Sequence, residues 1–341
     1  QVGGSSRLSG GHFYAAGTPE QRNAGIADSA DAMFEHYMTL NQWLVEPSVV
    51  RRYCDLSAPG LAWLQQLGVQ FSSSTVYRSG VSSIARGHPP EGAGEQVVAV
   101  LHAACDQRGV DLVLKARVSE LLTDRHGGIA GIRIGSDEAT CGALVLAAGG
   151  FGANPEKLSQ HYPAAAANGD WSWYIGSPHA QGDGLDLGRQ VGAALDGHNR
   201  GLLLVTPGFS RDLEVLLPGW LILVNQRGLR FTDETAPYTV LGGLIAHQQG
   251  PVYALFDEAA RSGAQRSAQS QAYWVNEVLE AQAQAGNIIT AQSIEQLAAQ
   301  TRIPGAALAG TLARYNRDCD TGVDSAFFKP ASSGSRAIDT P

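Results

Sequence analysis

The chain has 341 residues, enough for about two domains at roughly 150 residues each. Apolar residues make up 44% and charged residues 16%, which excludes a disordered chain, and a net charge of −8 without any Lys/Arg cluster excludes an electrostatic footprint for nucleic acid. No apolar run reaches the roughly 18 residues of a membrane span, and four scattered cysteines (Cys54, Cys105, Cys141, Cys319) without Cys-x-x-Cys spacing argue against a metal site and suit a reducing, cytoplasmic compartment.

In chain order, residues 3–17 are glycine-rich, GGSSRLSGGHFYAAG. Thr18 then reads as a helix cap with Pro19 in the first turn, and helical patterning runs to about Leu40. Glu46-Pro47-Ser48 opens a second helical stretch, predicted to break near Pro59-Gly60, resume at Leu61 and stop at Gly68. Residues 72–94 read as loop, with the turn residues GHPPEG at 87–92. Val97, Val100, Leu101 and Ala104 mark the apolar face of a helix ended by Gly109. Residues 110–114 and 118–122 read as short strands, Gly127-Gly128 as a turn, and 129–134 as a further strand. Residues 143–148 are apolar at every position, the pattern of a strand buried on both faces, and run into Gly149-Gly150-Phe151-Gly152. Gly182-Asp183-Gly184 leads into a helix to about Ala194.

From about residue 200 the texture changes. Strand-like pieces at 221–224 and 252–256 mix with Gln- and Ala-rich helices around 258–284 and 291–300, and Pro304-Gly305 precedes a final helix to about Cys319. The expected division is a first domain at 1–199, an inserted domain at 200–320, and a segment 321–341 that begins a return to the first domain.

Three stretches invite chemistry. Gly3 to Gly11 lets the backbone approach a ligand, with Ser hydroxyls and free N–H groups suited to phosphate, although a flexible glycine loop explains such a stretch equally well. The apolar strand into Gly149-Gly150 would let a cofactor cross the sheet edge, or simply turn. Asp183 would cap its helix or accept hydrogen bonds from a polar ligand.

In this order and spacing, GGSSRLSGG (3–11), LVLAAGGFG (144–152), GDGLDLG (182–188) and VNQRGLRFTDE (224–234) resemble the flavoprotein family of fumarate reductases and 3-ketosteroid dehydrogenases, across nearly the whole chain. The resemblance implies an α/β fold: a Rossmann-like FAD-binding domain with an inserted α+β capping or substrate domain. It implies FAD contacts from Ser5, Ser9, Gly10 and Gly11 to the diphosphate and ring region, from the Val118 backbone to adenine, and from Ala148, Gly149, Gly150 and Asp183 along the cofactor. Such proteins carry a first strand with a G-x-G-x-x-G turn ahead of a stretch like 3–11, and a returning segment after one like 338–341, so the sequence is expected to be an incomplete record of a longer protein.

The fumarate-reducing members place a catalytic Arg after the R-F-x-x-E stretch; here that place holds Tyr238, and residues 198–225 contain no His-Pro-Thr followed by Thr-Glu-x-x-Arg. A Tyr cannot pair with two carboxylates as Arg does. Arg230-Phe231-Thr232-Asp233-Glu234 followed by Pro237-Tyr238 resembles the ketosteroid dehydrogenases, in which the Tyr takes a proton beside a carbonyl while flavin takes hydride from the adjacent carbon. Tyr238 is otherwise an ordinary packed aromatic. Arg86 and His88, in a loop that relatives bring toward the flavin, and Arg230 are expected to line the substrate pocket, although a polar loop accounts for the first two. The expected activity is hydride transfer between FAD and a carbon–carbon bond next to a carbonyl, with a cyclic ketone or steroid as substrate and an unassigned electron acceptor. The alternatives are a fumarate reductase-like reductase of an unsaturated carboxylate and a non-catalytic flavin-fold fragment.

Overall fold

The computed structural model describes residues 2–72, 76–78, 82–211, 217–265 and 273–339. The chain forms two units, Gln1–Gly201 and Leu202–Pro341, each a mixture of helix and sheet.

The first unit runs α1 (Gly4–Leu8), β1 (Phe13–Tyr14), α2 (Pro19–Asn23), α3 (Ala30–Leu40), α4 (Pro47–Leu67), β2 (Gly87–His88), α5 (Ala93–Asp106), β3 (Glu120–Thr123), β4 (Ile129–Ile134), β5 (Asp137–Thr140), α6 (Pro155–His161), α7 (Pro163–Ala166) and α8 (Asp183–Gln190). Strands β1 and β2 pair antiparallel, Phe13 against His88 and Tyr14 against Gly87. Strands β3, β4 and β5 form an antiparallel meander. Thr18 caps α2 in a full capping box with Gln21, which satisfies two orphan backbone donors. The helical stretch predicted through Leu40 is interrupted at Gly25, which has a φ of +72°, and restarts where Ser29 caps α3.

The structure departs from two expectations of the sequence. Helix α4 passes through Pro59 without a break and ends at Gly68 as a left-handed cap. An interior proline costs about 3 kcal/mol, and the buried row Cys54, Ser57, Leu61 and Leu64 offsets it. The strands predicted at 110–114 and 143–148 carry no ladder: no strand is formed there, and Val113 and Val145 stand 71% and 88% exposed. A strand is defined by its neighbour, and no described residue supplies one.

The second unit contains β6 (Ile222–Val224), α9 (Tyr238–Ala246), β7 (Tyr253–Leu255), α10 (Glu258–Ser262), α11 (Asn276–Gln284), α12 (Ile294–Thr301) and α13 (Gly305–Thr321), with β6 and β7 antiparallel. The helix predicted around 258–284 appears as α10 and α11, and its part at 266–272 lies outside the described residues, as do parts of the 72–94 loop. The alternation of a strand sorts its side chains onto two cores. Leu221 and Leu223 join Leu241, Trp274 and Leu279, while Ile222 and Val224 join Leu308, Leu312 and Tyr315. Within residues 321–339, Ile338 N–H donates to Asn316 at 2.9 Å, and Lys329 Nζ donates to the Leu221 carbonyl at 2.8 Å.

Candidate functional site

In the first unit, close packing of α1 on α5 is set by glycine. A Cβ at Gly3 would lie 2.7 Å from Val98, and one at Gly94 would lie 2.0 Å from the Ser6 carbonyl. Helix α1 begins from Gly3 at a φ of +104° with no side-chain cap, so the N–H groups of its first turn keep their hydrogen-bonding capacity. Ser5 Oγ lies 3.0 Å from the Tyr174 hydroxyl and accepts from Ser177 N–H at 2.9 Å, which ties the first glycine stretch to residues 174–177. Ser9 shapes the turn: its hydroxyl donates to the Ser6 carbonyl at 2.7 Å and accepts from Gly11 N–H at 3.1 Å. Gly11, at a φ of +67°, sits so close to α5 that a Cβ would lie 2.7 Å from Gly94 N.

The second and third stretches meet. Gly182 N–H donates to the Gly150 carbonyl at 3.0 Å, and Gly184 faces Ala148. Helix α8 starts from Gly182 at a φ of +81°, again without a side-chain cap, and Asp183 is its first residue rather than its cap. Asp183 accepts from Arg117 at 2.8 Å, which brings Val118 into the same neighbourhood, and Gln190 ties α8 to Leu121 and Ser119. The Arg117–Asp183 pair is largely exposed and contributes little stability. No atom lies within 4 Å of where a Cβ would stand on Gly149 or Gly150. Two glycine-started helices with uncapped N–H groups and an open glycine pair are the donor set and clearance that an anionic dinucleotide requires.

Arg86 and His88 take a different place from the expected one. Arg86 donates from Nε and Nη2 to the two oxygens of Asp28, both at 2.7 Å, with the pair almost wholly buried. Burial works to raise the Asp28 carboxyl, but Arg86 and Gln21 outweigh it and hold it below the usual range. His88 is fully buried, with Nε2 at 2.9 Å from Thr18 Oγ1 and Nδ1 at 2.9 Å from the Arg86 carbonyl. His88 is therefore a strut, not a pocket-lining group. Arg86 borders a cavity of about 400 Å³ with Glu35, His36, Thr39 and Ser83, but its charge is already answered by Asp28. Sequence reading missed Asp28 and Gln21; only the Thr18-x-x-Gln21 capping box signalled the latter.

In the second unit, the R-F-x-x-E stretch is a brace. Arg230 donates to Glu234 at 2.8 and 2.9 Å and to Asp324 at 2.8 Å, and its guanidinium lies 5.0 Å from the Tyr315 ring centroid. Glu234 also takes Leu223 N–H and Lys329 Nζ. Burial depresses the Lys329 ammonium. Burial would raise the Asp324 carboxyl, but Arg230 and the N–H groups of Ala326 and Phe327 bring it down to about 2. Arg230 borders a cavity with Arg314, Tyr315 and Phe327 and is at the same time part of this brace, which Asp324 and Lys329, missed in the sequence, complete. Asp233 fixes the next turn through Thr235 N–H and Oγ at 2.8 and 2.7 Å, and Pro237 then sets the partly buried Tyr238 as the first residue of α9. Part of the 198–225 stretch, residues 212–216, lies outside the described residues.

Among the described residues, no group of three or more His, Cys, Asp or Glu side chains is placed to hold a metal ion, and no helix is long and apolar enough to cross a membrane.

The chain is similar to the fumarate reductase (cytochrome) of Shewanella frigidimarina, 29% identical over 96% of this chain and 57% of the relative. It is similar to the 3-oxosteroid 1-dehydrogenase of Mycolicibacterium smegmatis, 26% identical over 73% of this chain and 47% of the relative. It therefore spans about half the length of these relatives. Its fold is shared with the 3-ketosteroid-Δ4-(5α)-dehydrogenase of Rhodococcus jostii RHA1, solved with 4-androstene-3,17-dione, at a TM-score of 0.77 and 22% identity, covering 100% of this chain and 74% of that one. The sequence profile described as FAD binding domain matches residues 1–338, and on that match the chain belongs to the FAD binding domain family.

Proposed function

We propose that this chain is the cofactor-holding part of an FAD-dependent oxidoreductase that moves hydride between flavin and a carbon–carbon bond next to a carbonyl, in the manner of a ketosteroid dehydrogenase. The observation that carries the cofactor reading is that one unit holds both uncapped glycine-started helices, α1 tied to Ser177 through Ser5 and α8 joined to the open Gly149-Gly150 pair by the Gly182–Gly150 hydrogen bond. In this reading the first-turn N–H groups of α1 and the turn Ser9-Gly10-Gly11 hold the diphosphate and ring region. The Val118 backbone meets adenine, and Ala148, Gly149, Gly150 and Asp183 lie along the cofactor. FAD, when bound, supplies the hydride acceptor or donor.

The chain's own contribution to the chemistry is the proton, taken or given by Tyr238. The positive end of α9 is where a developing phenolate charge is best tolerated. The relatives support a carbon–carbon bond as the reacting group, since fumarate and a 3-oxosteroid both present one next to a carbonyl carbon. A steroid or other cyclic ketone suits the absence of that following Arg: Tyr238 stands in its place, and Arg230 within the stretch is already paired with Glu234 and Asp324. Reduction of an unsaturated carboxylate is the second reading, favoured by the fumarate reductase relative.

Anaerobic mixing of the purified, flavin-loaded full-length protein with 4-androstene-3,17-dione tests the proposal. Bleaching of the flavin supports it. A stable yellow protein that no cyclic ketone bleaches, but that fumarate reoxidises after reduction, overturns the steroid reading in favour of the second.

A further inference from the structure

The residue after the Gly10-Gly11 turn is His12, and the function above gives it no task. We propose that His12 donates a hydrogen bond from Nε2 to the bound cofactor, its tautomer set by a chain of two tyrosines, Tyr77 and Tyr14. The inference rests on the reading that Gly10-Gly11 meets FAD, and it deepens that site.

Three observations build it. First, His12 Nδ1 is hydrogen-bonded to the Tyr77 hydroxyl, and Tyr77 is in turn 3.0 Å from the Tyr14 hydroxyl. The rings meet edge-on, with His12 and Tyr77 centroids 5.0 Å apart and Tyr14 and Tyr77 6.3 Å apart.

Second, Tyr77 is fixed from the backbone. It exchanges two N–H···O bonds with Gly87, both 3.1 Å, beside the β1–β2 pair that carries Tyr14. A Cβ at Gly87 would lie 2.4 Å from the Tyr77 ring, so only glycine there leaves room for it.

Third, the other imidazole nitrogen leans over the cofactor turn. A Cβ at Gly10 would lie 3.4 Å from His12 Nε2, and His12 is an exposed residue. Burial lowers the His12 pKa, which favours the neutral ring.

A neutral imidazole has one donor and one acceptor nitrogen. A phenol O–H is a stronger acid than an imidazole N–H, and an imidazole nitrogen is a stronger base than a phenol oxygen. The favoured arrangement is therefore Tyr14 O–H to Tyr77, Tyr77 O–H to Nδ1, and an Nε2–H turned toward the ligand. A donor there stabilises the electron-rich reduced flavin more than the oxidised one.

Nitrogen-15 NMR of histidine-labelled protein and the flavin midpoint potential test this together. The expected His12 signal in wild type is the Nε2–H tautomer, and Tyr14→Phe, which touches His12 only through Tyr77, shifts it. Tyr77→Phe and His12→Leu lower the flavin potential by about 30 mV, a tenfold change in the two-electron equilibrium, while His12→Gln, which keeps an N–H, retains it. An Nδ1–H tautomer, or an unchanged potential in flavin-loaded Tyr77→Phe and His12→Leu, overturns the proposal and leaves the FAD reading standing. A wild-type protein that holds no flavin overturns both.

Discussion

Glu234 grips Arg230 four residues earlier with two parallel hydrogen bonds, 2.8 and 2.9 Å, and the carboxylate is fully shielded from solvent. The same carboxylate accepts from the Leu223 backbone N–H and from Lys329. It therefore joins strand β6, the turn before α9 and the 321–339 segment in one knot, and the position of Tyr238 depends on that knot.

Removing Glu234 leaves the buried Lys329 without its carboxylate and Arg230 with Asp324 alone. Glu234→Ala is expected to cost about 3–5 kcal/mol, the range for breaking a buried pair. Urea unfolding monitored by tryptophan fluorescence measures it, and a loss under 1 kcal/mol would show that the knot is ornamental.

The carboxyl of Asp324 sits near 2 in the folded protein against an ordinary value near 3.8. A carboxylate depressed in the folded state stabilises it above its unfolded pKa, and that stabilisation disappears as protons bind. The second unit should thus lose on the order of 2 kcal/mol as pH falls from about 4 through 2. Thermal melts across that window, with Asp324→Asn as the pH-flattened control, check the expectation.

Gly94→Ala is expected to empty the cofactor site. Its Cβ would lie 2.0 Å from the Ser6 carbonyl, a backbone atom that cannot swing aside, so α1 must move off α5. The readout is flavin absorbance of the purified protein, with circular dichroism to show that the fold persists.

Tyr238→Phe keeps the ring and removes the hydroxyl. Flavin content should be unchanged while steroid-driven bleaching slows by about 10²- to 10⁴-fold, the usual loss for a positioned acid or base. A rate within threefold of wild type removes Tyr238 from the mechanism.

Asp28→Asn leaves Arg86 buried without its counter-charge. A loss of about 3 kcal/mol or more is expected, with no selective effect on substrate affinity, because Arg86 acts as a brace. A variant that folds normally but raises KM alone would return Arg86 to the substrate pocket.

Local rules determined much of this protein from the sequence. The cap at Thr18, the glycine stop at Gly68, the strand texture at 129–134 and the alternation at 221–224 all rest on neighbours within a turn or a pleat. The glycine stretches were legible too, because glycine marks where backbones must approach. The roles of charged groups were decided only by the tertiary structure. Arg86 reads as a free cation until Asp28, 58 residues away, takes it, and Arg230 reads the same way until Asp324 arrives from 94 residues further on. Pro59 reads as a helix breaker until a buried face holds α4 through it, and the apolar runs at 110–114 and 143–148 read as strands although no described residue pairs with them. A propensity belongs to one residue and its neighbours, whereas an ion pair, a buried face or a ladder needs a partner that the fold alone brings into reach.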